Sequence, residues 1–379
     1  MEGASITISP LVYYYEAYYS NLNGDRKKPV DLFRKAATAS SKYCFPNRME
    51  DIKVLEWALF NNPDDAQAHY LLGNILYSRT RSSEAITHWE RAVELNPLNA
   101  VAYRNLGVAY GEQGDLDHAR TEYHSAIKAD PFAGKAIVEL GRINAGLKIA
   151  YSDQIKLFED NIKVVSGYNQ AITQLIELYV ITGKYQEALK WLKSIHFNSW
   201  EGQYGIHQFW EQSNIRQGDL EYSEGHYEKA LVFYGQSLTY PDNLEVAEQP
   251  NTIHARNNYK IGMALMKSGK RAEALEFFRK AISDTVNETN ASQYYRGKAF
   301  DAIGEKKKAV EVFSGMLSAL DNKKAEGSND RERAVYFLCR SLALEGLGKE
   351  KEAAEQYKVA VELYPLVEIS AFRPPRSDL

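Results

Sequence analysis

A repeat with a period of about 34 residues constrains this chain more than any other feature of its sequence. The segment "AQAHYLLGNILYSRTRSSEAITHWERAVELNP", which begins at Ala66, recurs as "AVAYRNLGVAYGEQGDLDHARTEYHSAIKADP", which begins at Ala100. The matched positions are Leu72–Gly73 with Leu106–Gly107, Ala85 with Ala119, Trp89 with Tyr123, Ala92 with Ala126, and Pro97 with Pro131. A repeat of this length is typical of a stacked pair of helices, so the sequence predicts an array of helical hairpins.

The residue types at the repeated positions predict how each hairpin is built. Small Gly73 and Ala85 suit a point where two helices cross closely, and Pro97 suits the end of the second helix. By the same pattern we expect close crossings at Gly107, Gly262 and Gly297.

The frame continues along the chain with lower fidelity, and its period and pattern resemble the tetratricopeptide repeat. Residues 31–65 are predicted as an atypical first hairpin, which gives about nine hairpins in all. We therefore predict an all-α fold, a right-handed superhelix of tetratricopeptide hairpins. The predicted domains are an N-terminal arm or remnant strand at 1–10, the repeat domain at 11–367, and a disordered tail at 368–379.

Bulk composition excludes several classes of protein. The 379 residues include 46 basic and 50 acidic side chains, so a phosphate-neutralising face for nucleic acid is not indicated. No apolar run approaches the roughly 20 residues of a membrane span, and the N-terminus does not read as a signal peptide. Cys44 and Cys339 lie far apart, which indicates a reducing compartment and a cytoplasmic protein.

The chain lacks the motifs of common enzymes. It has no phosphate loop, no nucleotide-binding glycine fingerprint and no GxSxG elbow. Its histidines form no HExxH-like set, and His118 and His124 do not have the i, i+4 spacing of paired helical ligands. We therefore predict no catalytic residues, no cofactor and no metal, and no enzyme activity unless the chain is part of a larger sugar-acting protein.

The first helices of successive hairpins should line a concave groove. The predicted groove residues are Tyr70, Asn74, Tyr77, Arg104, Asn105, Lys135 and Arg142. This row resembles the carboxylate clamp of co-chaperone repeats, with Asn74, Asn105 and Lys135 on three of its five positions. Tyr70 stands in place of a lysine and Glu139 in place of an arginine, so capture of an acidic C-terminus should be weak.

A second resemblance covers about residues 9–367. The segments "YCFPNRMEDIKVLEWAL", "NNPDDAQAHYLLGNILY", "HWERA", "YRNLGVAY", "FNSWEG" and "YPDNL" resemble the C-terminal repeat region of a large bacterial family of unknown function. In that family a β-sandwich similar to galactose mutarotases precedes the repeats. The alternation of "GASITISP" then suggests the last strand of such an upstream domain. This chain departs from the family at Gln203, where a second glycine is usual, and after "YPDNL".

The stretch "FNSWEGQYG" breaks the repeat, and two interpretations of it stay open. Trp200 and Glu201 can build a buried corner that turns the array, which is the interpretation we favour because large aromatic residues mostly serve packing. Alternatively, Trp200, Glu201 and Tyr204 form a patch that stacks on a sugar. The leading hypothesis for the chain is a non-catalytic scaffold that binds a protein, a peptide or an adjacent β-domain through the groove. The alternative is a carbohydrate-binding or accessory region of a sugar-acting bacterial enzyme.

Overall fold

The computed structural model describes residues 8–25, 27–198, 205–284, 287–323 and 329–372, and over these residues the chain is helical, with no strand. A 3₁₀ turn covers Asp242–Leu244. The α-helices are α1 (Pro10–Leu22), α2 (Lys28–Thr38), α3 (Met49–Asn61), α4 (Ala66–Ser78), α5 (Ser82–Leu95), α6 (Ala100–Glu112), α7 (Leu116–Ala129), α8 (Gly134–Gly146), α9 (Tyr151–Asp160), α10 (Ile162–Val165), α11 (Asn169–Ile181), α12 (Tyr185–Ser194), α13 (Ile206–Ser223), α14 (Tyr227–Gln236), α15 (Ala255–Lys267), α16 (Arg271–Ser283), α17 (Ser292–Ala302), α18 (Lys306–Lys323), α19 (Asp330–Gly346), α20 (Glu350–Leu363) and α21 (Val367–Ala371). None of these helices is long and apolar enough to cross a membrane.

Consecutive helices pack as antiparallel pairs, and the all-α array of hairpins predicted from the repeat is confirmed. The pairs are α1/α2, α4/α5, α6/α7, α8/α9, α13/α14, α15/α16, α17/α18 and α19/α20. With α11 and α12, which follow each other across a turn at Gly183, the described residues contain nine pairs, the predicted number, although α1/α2 takes the place of the predicted pair at 31–65.

In five of the hairpins a glycine of the first helix packs against an aromatic ring of the second helix. A Cβ placed on Gly73 would lie 2.5 Å from Cδ1 of Trp89, and one on Gly107 would lie 2.9 Å from Cε1 of Tyr123. The same arrangement recurs between Gly218 and Tyr234, Gly262 and Phe278, and Gly297 and Phe313. The predicted crossings at Gly73, Gly107, Gly262 and Gly297 are confirmed, and in each the ring follows the glycine at the same sequence spacing.

The turn inside each hairpin needs one residue in the left-handed region. Gly114 occupies this position between α6 and α7 with φ of 81°, which costs a glycine little because it has no Cβ. At the equivalent position between α4 and α5 the chain has Thr80, with φ of 60°. A β-branched residue in this region is strained, so the α4/α5 turn departs from the repeat.

The prediction of a first hairpin over residues 31–65 is wrong. An irregular stretch at 39–48 separates α2 from α3, and α2 pairs instead with α1. The α1 helix is fixed by its tyrosines, because the Tyr14 hydroxyl donates to Asp65 over 2.9 Å and the Tyr15 hydroxyl to Asp51 over 2.7 Å. A tyrosine-rich helix that hydrogen bonds through its hydroxyls has no counterpart in the repeat pattern.

The chain divides into two compact units, unit 1 at Met1–Ala171 and unit 2 at Ile172–Leu379, with the division near the start of α11. In unit 1 the core runs through Leu71, Leu72 and Ile75 of α4. In unit 2 one core cluster surrounds Phe278 and another surrounds Leu338.

The ends of the predicted repeat domain stay predictions. Residues 1–7, which hold most of the predicted arm, and residues 373–379 lie outside the described part of the chain. Residues 368–371, placed in the tail by the sequence analysis, belong to α21. Val367 and Ala371 of this helix are buried in the core cluster around Leu338.

Candidate functional site

The first helices of three successive hairpins in unit 1, α4, α6 and α8, carry the predicted groove residues; we call this surface the unit 1 face. Asn74 on α4 and Asn105 on α6 are joined there, since Nδ2 of Asn105 donates to Oδ1 of Asn74 over 3.0 Å. Nε1 of Trp89 donates to the same oxygen over 3.0 Å. Because the Trp89 ring also packs on Gly73, the hairpin crossing fixes the orientation of this amide pair.

An ion pair joins α6 and α8 on the unit 1 face. Arg104 on α6 donates through Nη2 to Oε1 of Glu139 on α8, and both side chains are partly buried. Glu139 stands where the co-chaperone clamp has an arginine, and it neutralises Arg104. This geometry supports the expectation that an acidic C-terminus is not held at Arg104.

Two predicted cations of α8 remain at the surface. Lys135 and Arg142 are exposed, and Nη2 of Arg142 donates to Oε1 of Gln170 over 3.3 Å. A hydrogen bond to a neutral amide leaves the positive charge of the guanidinium in place. The α8 end of the unit 1 face is therefore positively charged.

The two predicted tyrosines differ in their surroundings. The Tyr77 ring lies 5.2 Å from the Trp89 ring, and its hydroxyl donates to Oε2 of Glu112. Burial, followed by the hydrogen bond and the negative charge of Glu112, raises the pKa of Tyr77 to about 12. Tyr70 is only 8% exposed and belongs to the unit 1 core, so it offers no ring face to a ligand.

Tyr70 lies in the core cluster of unit 1, together with Cys44 of the irregular stretch at 39–48 and Ile52 of α3. Burial also raises the pKa of Tyr70. Of the seven predicted groove residues, Asn74 is in hydrogen-bond contact with two others, Asn105 and Tyr70. Tyr77 and Arg142 bond to Glu112 and Gln170, which were not singled out, and Arg104 pairs with Glu139.

Trp200, Glu201 and Tyr204 lie outside the described residues, so the choice between a corner and a sugar-binding patch stays a prediction. The segments on either side are well packed. Phe197 is fully buried, and its amide donates to the carbonyl of Asn243 over 2.8 Å. The side chain of Asn243 in turn donates to the carbonyls of Leu192 and Ile195 over 2.8 and 2.7 Å.

Asn243 therefore provides hydrogen-bond donors for the backbone carbonyls at the end of α12, where the repeat has lost its proline. On the other side of the break, Trp210 of α13 is 4% exposed and donates through Nε1 to the carbonyl of Gln236 over 3.0 Å. The aromatic residue and the "YPDNL" asparagine thus serve packing at this position.

Unit 2 contains a charged network that sequence reasoning missed. Asp219 on α13 accepts from Nζ of Lys260 over 2.6 Å and from the Tyr234 hydroxyl over 2.8 Å. Arg216, one turn earlier, lies 3.7 Å from the same carboxylate. Burial lowers the pKa of Lys260, and the negative charge of Asp219 opposes that shift.

A second part of this network surrounds Arg256 on α15, which is 5% exposed. Its guanidinium donates to Oε1 of Gln212 over 3.0 Å and to Oε1 of Glu211 over 2.9 Å. In the sequence these side chains resemble the solvated polar face of a helix. The sequence of α13 did contain one indication of this network. This 18-residue helix has few apolar residues and a charge on nearly every turn, which indicates partners from other helices.

Metal ligands come together at one place in the described residues, at the end of α13. Ligand atoms of Glu221, Glu224 and His226 lie within 4.8 Å of one another. His226 Nδ1 contacts the two carboxylates at 3.0 and 3.3 Å, and Glu224 and His226 are largely exposed. Hydrogen bonding to the imidazole accounts for this cluster, so we assign no metal to it.

Fold and surface together define a repeat protein built from helical hairpins, with polar residues on the first helices. The sequence comparisons specify the repeat. A family model described as "TPR repeat" matches residues 73–114, and one described as "Tetratricopeptide repeat" matches residues 100–132 and 255–283. The chain therefore carries tetratricopeptide repeats in both units.

Curated relatives are distant and longer than this chain. A TPR repeat-containing protein of Methanocaldococcus jannaschii is 24% identical over 311 residues, which cover 78% of this chain and 49% of that protein. Hsp70-Hsp90 organizing protein 1 of Glycine max is 22% identical over 40% of this chain and 28% of its own length. The DnaJ homolog subfamily C member 7 homolog of Schizosaccharomyces pombe is 24% identical over 40% of this chain and 35% of its own length. The chain thus spans about half of the first relative and less of the other two.

Two solved structures also match the chain distantly. A tetratricopeptide repeat protein from Parabacteroides merdae is 14% identical with a TM-score of 0.34, covering 93% of this chain and 98% of that one. The structure of Naa15/Naa10 bound to HypK-THB is 12% identical with a TM-score of 0.42, covering 94% of this chain and 64% of that one.

Proposed function

We propose that this chain is a protein-interaction scaffold that binds a partner segment on the unit 1 face. The repeats are of a type that stacks into extended binding surfaces. Two of the relatives, the Hsp70-Hsp90 organizing protein and the DnaJ homolog, are named for chaperone systems built on protein–protein contacts. The observation that carries the proposal is the oriented amide pair Asn74–Asn105 beside the exposed cations of α8.

The amide pair suits the main chain of a bound segment. Asn74 Oδ1 already accepts two hydrogen bonds, one from Asn105 and one from Trp89, so it holds Asn105 in place. The Oδ1 atom of Asn105 is an acceptor for a peptide N–H. A pre-oriented side chain loses little rotational freedom on binding, which favours affinity.

The charges of the unit 1 face favour an acidic partner. Arg104 is neutralised by Glu139, whereas Lys135 and Arg142 are exposed and positive. Exposed ion pairs each contribute about 0.2–1 kcal/mol and are screened by salt. We therefore propose a segment whose main chain meets the asparagines and whose carboxylate meets Lys135 or Arg142.

Selection from a displayed peptide library on the full chain, followed by measurement of Kd, tests this function. Asn105→Ala should weaken the selected peptides by about 5- to 100-fold, the range for a hydrogen bond lost in a partly buried site. Lys135→Gln should weaken them by about 1.5- to 5-fold at low salt. Lys128→Gln on the second helix α7, a lysine on another surface, is the matched control and should leave Kd unchanged.

Peptides that bind Asn105→Ala and Lys135→Gln as tightly as the wild type would overturn the proposed face. A glycan array with the same proteins tests the other hypothesis. Binding of a sugar by the wild type and its loss in Trp200→Ala, with no peptide selected, would favour a carbohydrate-binding accessory region.

A further inference from the structure

The first-helix surface of unit 2 is already occupied by another part of the chain. Four of its first helices are α13, α15, α17 and α19, and the segment 366–372, which contains α21, touches all four. Glu368 bonds to α13, Phe372 contacts Arg256 of α15 and Tyr295 of α17, and α21 packs along α19. We call this surface the unit 2 face and the segment 366–372 the C-terminal plug.

Glu368 anchors the plug by its carboxylate. Nε2 of Gln212 donates to Oε2 over 2.9 Å, Arg216 donates to Oε1, and the Tyr357 hydroxyl donates to Oε1 over 3.1 Å. These partners lie 156, 152 and 11 residues away in the sequence. Charge-assisted hydrogen bonds of this kind are strong and directional, so the unit 2 face recognises a carboxylate at this point.

Phe372 provides the second anchor, one helical turn after Glu368. The Arg256 guanidinium lies 4.1 Å from the centre of its ring, and the Tyr295 ring centre lies 5.7 Å away. Arg256 is itself held by Gln212 and Glu211, so a cation is fixed where an aromatic face can stack on it. The unit 2 face therefore binds a carboxylate and an aromatic ring that lie one helical turn apart.

The plug does not fill the surface that it covers. A cavity of about 430 Å³ remains beside it, lined by Arg216, Tyr295, Leu342, Tyr357, Glu368 and Phe372. Burial alone would lower the pKa of the Arg216 guanidinium, but the negative charges of Glu368 and Asp219 outweigh burial and hold that pKa above its ordinary value. Arg216, Tyr295 and Tyr357 thus line an open space next to the two anchors of the plug. A longer or differently placed segment would make contacts in this space that the plug does not make.

We propose that the unit 2 face is a docking site for a short helical segment of a partner protein with a carboxylate followed one helical turn later by an aromatic ring. The C-terminal plug holds this site in cis and is displaced when such a segment binds. A tethered segment competes at an effective concentration in the millimolar range. The free chain therefore binds the partner segment weakly, and binding strengthens when the plug is loosened. This site lies in unit 2 and does not depend on the unit 1 face.

The probe is a labelled peptide of residues 364–372, "YPLVEISAF", and fluorescence anisotropy measures its affinity for the full-length chain. The double variant Glu368→Gln/Phe372→Ala removes both anchors of the plug but keeps the buried Val367 and Ile369. We expect the peptide to bind this variant at least tenfold more tightly than the wild type. Glu362→Gln, an exposed carboxylate on α20, is the matched control and should behave as the wild type.

Two further variants locate the bound peptide. Adding Arg216→Gln to the double variant should weaken the peptide at least fivefold, because it removes a donor to the peptide carboxylate. A peptide with glutamine and alanine in place of its glutamate and phenylalanine should not bind. An unchanged affinity in the double variant, or an Arg216→Gln variant that binds as well, would overturn the proposal.

If the double variant fails to fold, hydrogen exchange on the wild type tests the proposal. Excess peptide should speed the exchange of the plug amides, residues 366–372, and leave those of α4 unchanged. Plug amides that stay equally protected would show that α21 is a permanent cap of α19, which would refute displacement. Concentration-dependent dimers of the double variant in light scattering would identify a second copy as the occupant, which would also refute the partner proposed here.

Discussion

Gly262→Ala tests whether the glycine–aromatic crossings determine the packing of the hairpins. A Cβ on Gly262 would lie 2.6 Å from Cε1 and 2.7 Å from Cδ1 of Phe278, whose side chain is fully buried. Favourable carbon–carbon contacts lie at about 3.5–4.0 Å, so the ring or the helix must move by about 1 Å. Overpacking of this kind costs about 1–3 kcal/mol.

The matched control is Gly315→Ala in α18, where a Cβ would meet nothing within 4 Å. Both substitutions gain about 0.8–1 kcal/mol of helix propensity, so this gain cancels in the comparison. Gly315→Ala should stabilise the chain by about that amount. The free energy of unfolding of Gly262→Ala should then lie about 1–3 kcal/mol below that of the control.

Chemical denaturation followed by circular dichroism measures both variants. A Gly262→Ala/Phe278→Leu double variant extends the test, since the smaller side chain relieves the overlap and the two substitutions should be less than additive. Equal free energies of unfolding for Gly262→Ala and Gly315→Ala would refute the packing account of the repeat.

Three further predictions concern unit 1. Thr80→Gly should raise the free energy of unfolding by about 1 kcal/mol, because it relieves a β-branched residue at φ of 60°; a lower denaturation midpoint would contradict this. Asp65→Ala should lower it by about 2–3 kcal/mol, because Oδ1 accepts from a first-turn amide of α4 over 3.0 Å and from Tyr14 over 2.9 Å, and Asp65→Asn should lose less. Burial and then the charge of His69 lower the pKa of His88, so its contribution to stability is full above the unfolded pKa of about 6.5 and is lost as the pH falls through the lower folded pKa. Denaturation between about pH 7 and about pH 4 should show this loss in the wild type and a flatter profile in His88→Asn.

The sequence predicts those contacts of the fold that depend on the spacing of residues within one hairpin. Gly107 and Tyr123 meet because a helix, a short turn and a second helix bring these two positions face to face. That geometry recurs with the period of the repeat, so the sequence shows it directly. The pairing of α1 with α2 has no such repeat, and the hydroxyl bond from Tyr14 to Asp65 depends on a helix that the pattern does not contain.

The candidate sites were predicted less well because burial depends on distant elements. Tyr70 was expected to line a groove, but it is buried in the unit 1 core beside residues as distant in sequence as Tyr14 and Cys44. Arg256 and Lys260 resemble solvated helix residues in the sequence, yet carboxylates on a different hairpin pair with both. The contact between Arg216 and Glu368 joins residues 152 positions apart, and no spacing rule reaches that far.

The most direct test of the scaffold function is to locate the bound partner by photo-crosslinking. Val101 is 51% exposed and lies one turn before Asn105 on α6, whereas Thr121 is exposed on the second helix α7. Benzoylphenylalanine is placed at one position or the other in the full chain, and a selected acidic peptide is added and irradiated. We expect a crosslink from position 101, which excess unlabelled peptide suppresses, and none from position 121. A crosslink from position 121 alone would contradict the claim that the first helices of unit 1 bind the partner.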